Sequence, residues 1–170
     1  NLKNTSYAIT AEVIIPSQHC QGVIACQGGN MGGWSLYVDQ AGLASFVYNW
    51  FGHEFTLLQD TSALLPGSCK LEVIYRHGGD FGGGGEAVLQ VNGQEVHQNV
   101  IPRTVPVIFS MSGETFDVGV DTGSPVGHYP HTFSFNGEIQ AVTLKRLTEP
   151  SEAVKKAERK GHFQASLSSQ

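Results

Sequence analysis

Two carboxylates lie four residues apart in a short segment rich in oxygen-bearing side chains. The segment, from Asp117 to Pro125, reads Asp-Val-Gly-Val-Asp-Thr-Gly-Ser-Pro. Oxygen ligands of this kind bind Ca²⁺ in many protein loops, so Asp117 and Asp121 are candidate calcium ligands. The alternative is that Asp121 and Thr122 cap a turn by accepting hydrogen bonds from the backbone. The sequence leaves both interpretations open.

A second group of candidate functional residues is aromatic and lies near two glycine-rich stretches. Aromatic rings that reach the surface can stack on sugar rings. This interpretation selects Trp34, Trp50, His53 and Phe81 as candidate ligand-binding residues. The alternative is core packing, which the alternation along the strand that ends at Trp50 predicts for that residue.

The sequence contains none of the common catalytic motifs: no Gly-x-Ser-x-Gly elbow, no phosphate-binding loop, no His-Glu-x-x-His pair and no EF-hand loop. His128 and His131 flank Pro130. A proline disfavours the helix that would bring both rings to one face. We therefore expect a surface loop there rather than a metal site.

Three cysteines, Cys20, Cys26 and Cys69, lack the spacing of a zinc motif or a redox pair. We expect all three to be buried, reduced thiols that pack as small apolar groups. Free thiols favour a reducing compartment and hence the cytoplasm, although a periplasmic location stays open.

Alternating apolar and polar residues predict strands from Tyr7 to about Leu147. The first predicted strand spans residues 7–15. Further strands are predicted over residues 22–27, 34–38, 43–50, 54–59, 69–76, 107–112, 115–120 and 137–146, with a hairpin over 87–96. Glycine is frequent, at 21 of 170 residues, and charged residues are only 15%, which fits short strands joined by glycine turns. The predicted fold is all-β: an antiparallel two-sheet sandwich of the jelly-roll, concanavalin-like type.

The dipeptide Asn92-Gly93 predicts the corner of a β-hairpin, since both residue types tolerate the positive φ of a type I′ turn. The register predicted from this corner pairs Val91 with Gln94, Gln90 with Glu95, and Leu89 with Val96. A glycine-rich run, residues 78–85, lies between a predicted strand that ends at Arg76 and one that begins at Glu86. It predicts either a long turn or a close approach of two backbones.

The chain changes character after residue 148. We predict a β-sandwich domain over residues 1–148 and a helical tail over 149–170, with a short helix over 149–159 that has acidic residues in its first turn and basic residues in its last. The tail carries 4 basic and 3 acidic residues, whereas the body carries 6 and 12. The tail could therefore lie along the acidic body or fray into solvent.

Charge and hydropathy exclude two classes of partner. The net charge of −5 lacks the excess of Lys and Arg that binds phosphate backbones, so we expect no nucleic-acid partner. No stretch approaches the length of apolar residues that a membrane span needs, so none is expected. The first residue is Asn1 rather than Met, which suggests a fragment or a processed product.

Several short segments carry a family resemblance that spans residues 6–147. They are residues 22–38, with Gly-Gly-Trp-Ser-Leu-Tyr; Tyr48-Asn49; Gly83-Gly84-Gly85 with Val91-Asn92-Gly93; Phe109-Ser110; residues 117–126; and residues 135–139. Together they resemble the C-terminal domain of large bacterial arylsulfatases. The resemblance implies a concanavalin- or laminin-G-like sandwich that follows a larger α/β catalytic domain.

The resemblance does not bring an active site with it. A sulfatase uses a formylglycine made within a Cys/Ser-x-Pro-x-Arg motif, together with a divalent metal in its catalytic domain, and this motif is absent from the chain. No catalytic residue is therefore predicted, and the parent catalytic domain would carry both groups. We expect the isolated chain to hydrolyse no aryl sulfate.

Two functions follow as expectations. The first is a non-catalytic accessory domain that packs on a sulfatase catalytic domain, in the same chain or as a separate one. The second is an independent carbohydrate- or ligand-binding, lectin-like sandwich. A large exposed apolar patch would favour the first, and a concave, aromatic-lined groove with a polar rim would favour the second.

Overall fold

A computed structural model describes residues 2–109, 116–149 and 151–168. These residues form ten strands and one helix: β1 Tyr7–Ile15, β2 Gly22–Gly29, β3 Gly32–Val38, β4 Leu43–Trp50, β5 Glu54–Ala63, β6 Gly67–His77, β7 Gly83–Val91, β8 Gln94–Arg103, β9 Phe116–Val118, β10 Glu138–Arg146 and α1 Glu152–Ser168. Within the described ranges, no helix is both long enough and apolar enough to cross a membrane.

The strands form two five-stranded antiparallel sheets. The first has the order β10-β1-β6-β7-β8 and the second the order β5-β4-β3-β2-β9. Strands distant in sequence are therefore neighbours, as β1 is of both β6 and β10. The predicted antiparallel two-sheet sandwich with a C-terminal helix is confirmed.

The main core lies between the two sheets. Its side chains come from alternate positions of each strand, such as Ile9 and Val13 of β1 and Leu36 of β3. Trp34 stacks on Phe46 here, with ring centroids 6.4 Å apart. This is the arrangement that period-two alternation predicts for a sandwich.

The second sheet is buried on its outer face as well. There Val23, Cys26, Tyr37 and Val47 pack with Val126 and Phe133 in a second cluster, which we call the outer core. All seven residues of β3 are consequently buried. The outer core exists because residues 119–137, which we call the cover segment, cross this face of the sheet.

The hairpin corner has the predicted geometry, but its register changes two residues from the turn. Asn92 and Gly93 have φ values of 50° and 81°. The pairs Val91–Gln94 and Gln90–Glu95 are confirmed, whereas Leu89 lies opposite His97. The prediction that Leu89 faces Val96 is wrong, because a bulge between Leu89 and Gln90 and their partners inserts one extra residue in β8.

The glycine run over residues 78–85 is divided between a turn, residues 78–82, and the start of β7. β7 begins at Gly83, three residues earlier than predicted. A Cβ on Gly84 would lie 2.1 Å from the carbonyl oxygen of Ile101, and one on Gly85 would lie 2.1 Å from that of Arg76. Both alternatives therefore hold in part: residues 78–82 form the turn, and Gly84 and Gly85 permit a close approach of neighbouring backbones.

Two predicted strands differ from the structure. Residues 107–109 do not form a strand, and residues 110–112 of the same prediction lie outside the described residues. The strand predicted over 115–120 is limited to β9, with Thr115 outside the described ranges.

Helix α1 is longer than predicted and docks on the sandwich. Ser151 caps it, since its Oγ accepts a hydrogen bond from the backbone N–H of Val154 at 3.3 Å. The amide of Asn4 donates to Glu158 at 2.8 Å, and Gly161 packs against Val107. The prediction of a helix that ends at residue 159 with basic residues in its last turn is wrong, because contact with the sandwich carries the helix through Gly161 to Ser168.

Candidate functional site

The cover segment is fastened to the second sheet by backbone hydrogen bonds at both ends. Gly119 donates to the carbonyl oxygen of Ile24 at 2.9 Å, and Val23 donates to that of Phe133 at 2.8 Å. In the middle, Ser124 Oγ accepts from the backbone N–H of Asn30 at 3.0 Å. The segment therefore holds its side chains in fixed positions over the outer face.

Asn49 is the main buried polar group beneath this segment. Its Nδ2 donates to the carbonyl oxygens of Gly29, Asn30 and Val126 at 3.2, 3.1 and 3.0 Å, and its Oδ1 accepts from the N–H of Gly52 at 2.7 Å. One amide thus joins a β-hairpin, a turn and the cover segment. Sequence reasoning assigned Asn49 no role, and its only signal was an amide on an otherwise apolar strand.

The two predicted calcium ligands lie side by side and bind backbone groups of the cover segment. Asp117 Oδ2 accepts from the N–H and Oγ1 of Thr122 at 2.9 and 2.7 Å. Asp121 Oδ2 accepts from the N–H of Val126 at 3.1 Å and from the hydroxyl of Tyr129 at 2.8 Å. Both carboxylates therefore cap turns, with Thr122 as a donor. Calcium binding stays a prediction.

Cys26 lies beside these carboxylates. The Sγ of Cys26 and one oxygen each of Asp117 and Asp121 are all within 4.8 Å of one another. Burial, followed by the nearby carboxylates of Asp121 and Asp117, raises the pKa of the Cys26 thiol. Sequence reasoning did not predict that Cys26 lies beside Asp117. The two residues are far apart in the chain and become neighbours only because β2 pairs with β9.

All three cysteines are buried and free, as expected from the sequence. Cys20 and Cys69 belong to the main core, whereas Cys26 belongs to the outer core. His128 and His131 are exposed in the cover segment. The ring of His128 lies 4.4 Å from that of Phe55.

A groove of about 430 Å³ opens on the outer face beside the cover segment. Its aromatic walls come from Tyr37, Phe55, Tyr129 and Phe133, together with His128, and its polar rim includes Asp39, Gln40 and Gln59. The Tyr37 and Tyr129 rings are 5.0 Å apart, and Tyr129 stacks on Phe133 at 5.9 Å. Burial raises the pKa of Tyr37 to about 12, so its hydroxyl is neutral at physiological pH. The site is an apolar groove with hydrogen-bonding groups along one side.

The aromatic residues selected from the sequence lie elsewhere. Trp34 is only 1% exposed in the main core, where it offers no ring face to a ligand. The Arg103 guanidinium covers the Trp50 ring at 4.1 Å. His53 is exposed in the turn after Trp50, and Phe81 is exposed in the loop before β7. Trp34 therefore does not share a surface with the other three, whose role in ligand binding stays a prediction.

The two lateral edges of the sandwich also differ. At one edge β5 and β8 are joined by side chains: Gln59 donates its N–H to Nδ1 of His97 at 3.1 Å, and Arg103 pairs with Glu54 at 3.0 Å. At the other edge, between β9 and β10, a slot of about 430 Å³ is lined by Leu2, Gln27, Phe116, Leu144 and Arg146. We call this slot the open edge.

Comparison with known proteins identifies the fold but no family. No family model matches the chain, and no curated protein matches it. Similar solved structures include the CBM40 of the Ruminococcus gnavus IT-sialidase bound to α2,3-sialyllactose, at 15% identity over 91% of this chain and 82% of that chain, with a TM-score of 0.53.

Two further structures extend the comparison to other sandwich domains. The mouse laminin α1 LG4–5 fragment matches at 16% identity over 86% of this chain and 39% of its own, with a TM-score of 0.56. The Limulus polyphemus SAP-like pentraxin matches at 14% identity over 85% of this chain and 66% of its own, with a TM-score of 0.51. The chain thus spans less than two thirds of either protein. It has the concanavalin-like, jelly-roll fold of these lectin-like sandwich domains.

Proposed function

We propose that this chain is a non-catalytic accessory domain of an arylsulfatase, a sulfuric ester hydrolase, and that it packs on the catalytic domain through the open edge. The observation that carries this proposal is the exposure of apolar side chains at that edge: Phe116 is 44% exposed and Leu144 is 38% exposed. The resemblance of residues 22–38 and 117–126 to arylsulfatase C-terminal domains supports the identity of the partner.

The physical argument rests on how sheet edges are protected. Edge strands that stay in water are usually blunted by charge, short length or side-chain cover. The β5–β8 edge also exposes apolar side chains, Leu57 and Val100, but side-chain contacts join its two strands directly. At the other edge, β9 and β10 leave apolar groups around a slot that reaches toward the main core, since the Phe116 ring lies 6.2 Å from that of Trp34. Covering this edge with another domain would remove these side chains from water.

The resemblance segments fit a structural role. Asp121 and Asn49 bind groups of the same chain, and Trp34 packs in the main core. A domain whose distinctive residues serve its own folding, and which leaves an apolar slot open at one edge, is suited to supporting a neighbour.

The test is a binding measurement with separately purified domains. The chain is titrated by calorimetry into sulfatase catalytic domains from the same organism, as wild type and as Leu144→Glu. We expect at least tenfold weaker binding for Leu144→Glu. The matched control is Val100→Glu, which places the same charge at an exposed valine of β8 on the opposite edge and should bind like wild type.

Two outcomes would contradict the proposal: no complex with any catalytic domain, or equal losses for the two variants. Melting curves of both variants establish that each is folded before binding is compared.

A second candidate function is carbohydrate binding in the groove beside the cover segment. The observation that favours it is the groove itself, whose volume, aromatic walls and polar rim match the usual form of a small-ligand site. The similar CBM40 structure with bound sialyllactose adds a precedent on this fold. Phe55 is partly buried and lines the groove, so it is the aromatic residue that we expect to stack on a sugar.

A glycan array, followed by calorimetry with the best ligand, tests this function. Phe55→Ala should abolish binding, whereas Phe81→Ala should not, since Phe81 is an exposed aromatic residue outside the groove. If only Phe81→Ala abolished glycan binding, the result would instead support a binding site formed by the aromatic residues selected from the sequence. An array without any bound glycan would exclude the second candidate and leave the first untouched.

A further inference from the structure

Three potential metal ligands converge where the cover segment begins. Cys26 lies on β2 directly opposite Asp117 on β9, and Asp121 follows four residues later. Their ligand atoms lie within 4.8 Å of one another. Cys26 is 1% exposed and Asp121 is 2% exposed, whereas Asp117 is only partly buried.

Asp121 carries an unsatisfied oxygen in this cluster. Its Oδ2 accepts two hydrogen bonds, but its Oδ1 is buried without a hydrogen-bond partner among the described residues. A buried carboxylate oxygen without a donor or cation is costly. The second carboxylate supplies only acceptors and the Cys26 thiol only a weak S–H donor, so among the described residues this cluster contains no cation.

The composition of the ligand set selects the kind of cation. Ca²⁺ and Mg²⁺ take oxygen ligands, while a cysteine sulfur with two carboxylates suits a borderline-soft ion such as Zn²⁺. Zn–S and Zn–O bonds of about 2.3 and 2.1 Å place tetrahedral ligands about 3.4–3.6 Å apart. The present ligand atoms lie within 4.8 Å of one another, so small movements of the three side chains would close the cluster to that size.

We propose that Cys26, Asp117 and Asp121 bind a zinc-class divalent cation that fastens the cover segment to β2. The Cys26 thiol releases its proton to solvent as the sulfur binds the metal. Three protein ligands leave a fourth position for water or another ligand. The site differs from the calcium site predicted from the two carboxylates because the sulfur becomes a ligand, and it is independent of both proposed functions.

The direct test uses Co²⁺ as a spectroscopic probe. The chelator-treated protein is titrated with Co²⁺, and we expect one equivalent to produce a sulfur-to-cobalt charge-transfer band in the near ultraviolet, which Zn²⁺ then removes by displacing the cobalt. Cys26→Ser should lose this band. Cys69→Ser, which changes a buried free thiol of the main core, should keep it.

Two carboxylate variants keep the proposal falsifiable if Cys26→Ser does not fold. Asp117→Asn and Asp121→Asn retain an oxygen that can accept the present hydrogen bonds from Thr122, Val126 and Tyr129. Each should weaken Co²⁺ binding by at least about tenfold. Affinity equal to wild type in both variants would overturn the proposal, as would a wild-type chain without a thiolate band.

Thermal melting separates this site from a calcium site. Zn²⁺ should raise the melting temperature of the wild-type chain and of Cys69→Ser, and should not raise that of Cys26→Ser. Stabilisation by Ca²⁺ with no effect of Zn²⁺ would overturn the proposal and favour a calcium site formed by the carboxylates alone.

Discussion

The main core and the outer core pack against opposite faces of the same sheet, yet they are built differently. The main core is sheet against sheet, and its side chains come from regular alternation on both. The outer core is sheet against the cover segment, and it depends on individual polar contacts from Asn49 and Asp121. The candidate metal cluster and the groove both belong to the outer core. The difference teaches that regular alternation is enough to build one face of this sheet, whereas the other face depends on a few specific polar contacts.

The largest expected effect tests whether the main core dominates stability. Phe46→Ala removes a fully buried ring and should lower the free energy of unfolding by about 3–5 kcal/mol. Phe133→Ala removes the same side chain from the outer core, at a wall of the open groove, and should cost clearly less because the cavity it leaves is open to water. Urea denaturation measures both, and equal losses would contradict the distinction between the cores.

Asn49→Ala tests whether the cover segment depends on single polar contacts. The change leaves three carbonyl oxygens without their common donor and should cost about 2–3 kcal/mol. Hydrogen exchange should accelerate in the cover segment before it does in β1 or β6. Asn99→Ala is the control: it removes an exposed amide that donates to a single carbonyl, that of Leu57, and should leave exchange in the cover segment unchanged.

Tyr129→Phe tests the anchoring of Asp121 with a smaller change. It removes the hydroxyl that donates to Asp121 Oδ2 at 2.8 Å and keeps the ring that packs on Tyr37. A hydrogen bond to a charged group contributes about 1.5 kcal/mol or more, so the melting temperature should fall by a few degrees. An unchanged melting temperature would show that Val126 alone holds this carboxylate.

The smallest effect is expected at the hairpin corner, outside both cores. Gly93 has a φ of 81° and no atom within 4 Å of an added Cβ, so Gly93→Ala should cost about 1 kcal/mol from backbone strain alone. Gly123→Ala is the matched control, since that glycine also has open space but no positive φ, and its stability should match wild type. If Gly123→Ala lowered stability as much as Gly93→Ala, backbone strain could not explain the effect at Gly93.

Most of the main core could be predicted from the sequence, because a strand that meets one core repeats its pattern every two residues. The pattern at Tyr7–Ile15 predicted β1 and its buried face. The Asn92-Gly93 corner could also be predicted from neighbouring residues, since it depends only on which residue types tolerate a positive φ. The register failed at Leu89 because a bulge in β8 reflects packing against the rest of the sheet, which two residues at a corner do not encode.

The open edge and the groove were not accessible to the same reasoning. Phe116 and Leu144 meet across two sheets, and Phe55 meets His128 through a segment far along the chain. The helix end was missed for a related reason, since the contact of Gly161 with Val107 extends α1 beyond its charge pattern. Each depends on contacts between residues distant in sequence.

The sequence alone therefore determined the all-β class, most of the strands, the hairpin corner and the pair of carboxylates at Asp117 and Asp121. Only the tertiary structure decided that Cys26 joins those carboxylates, that Trp34 is buried, and that a groove lies beside the cover segment. The physical reason is that backbone preference and side-chain alternation act over a few residues, whereas strand pairing and burial depend on contacts between distant parts of the chain.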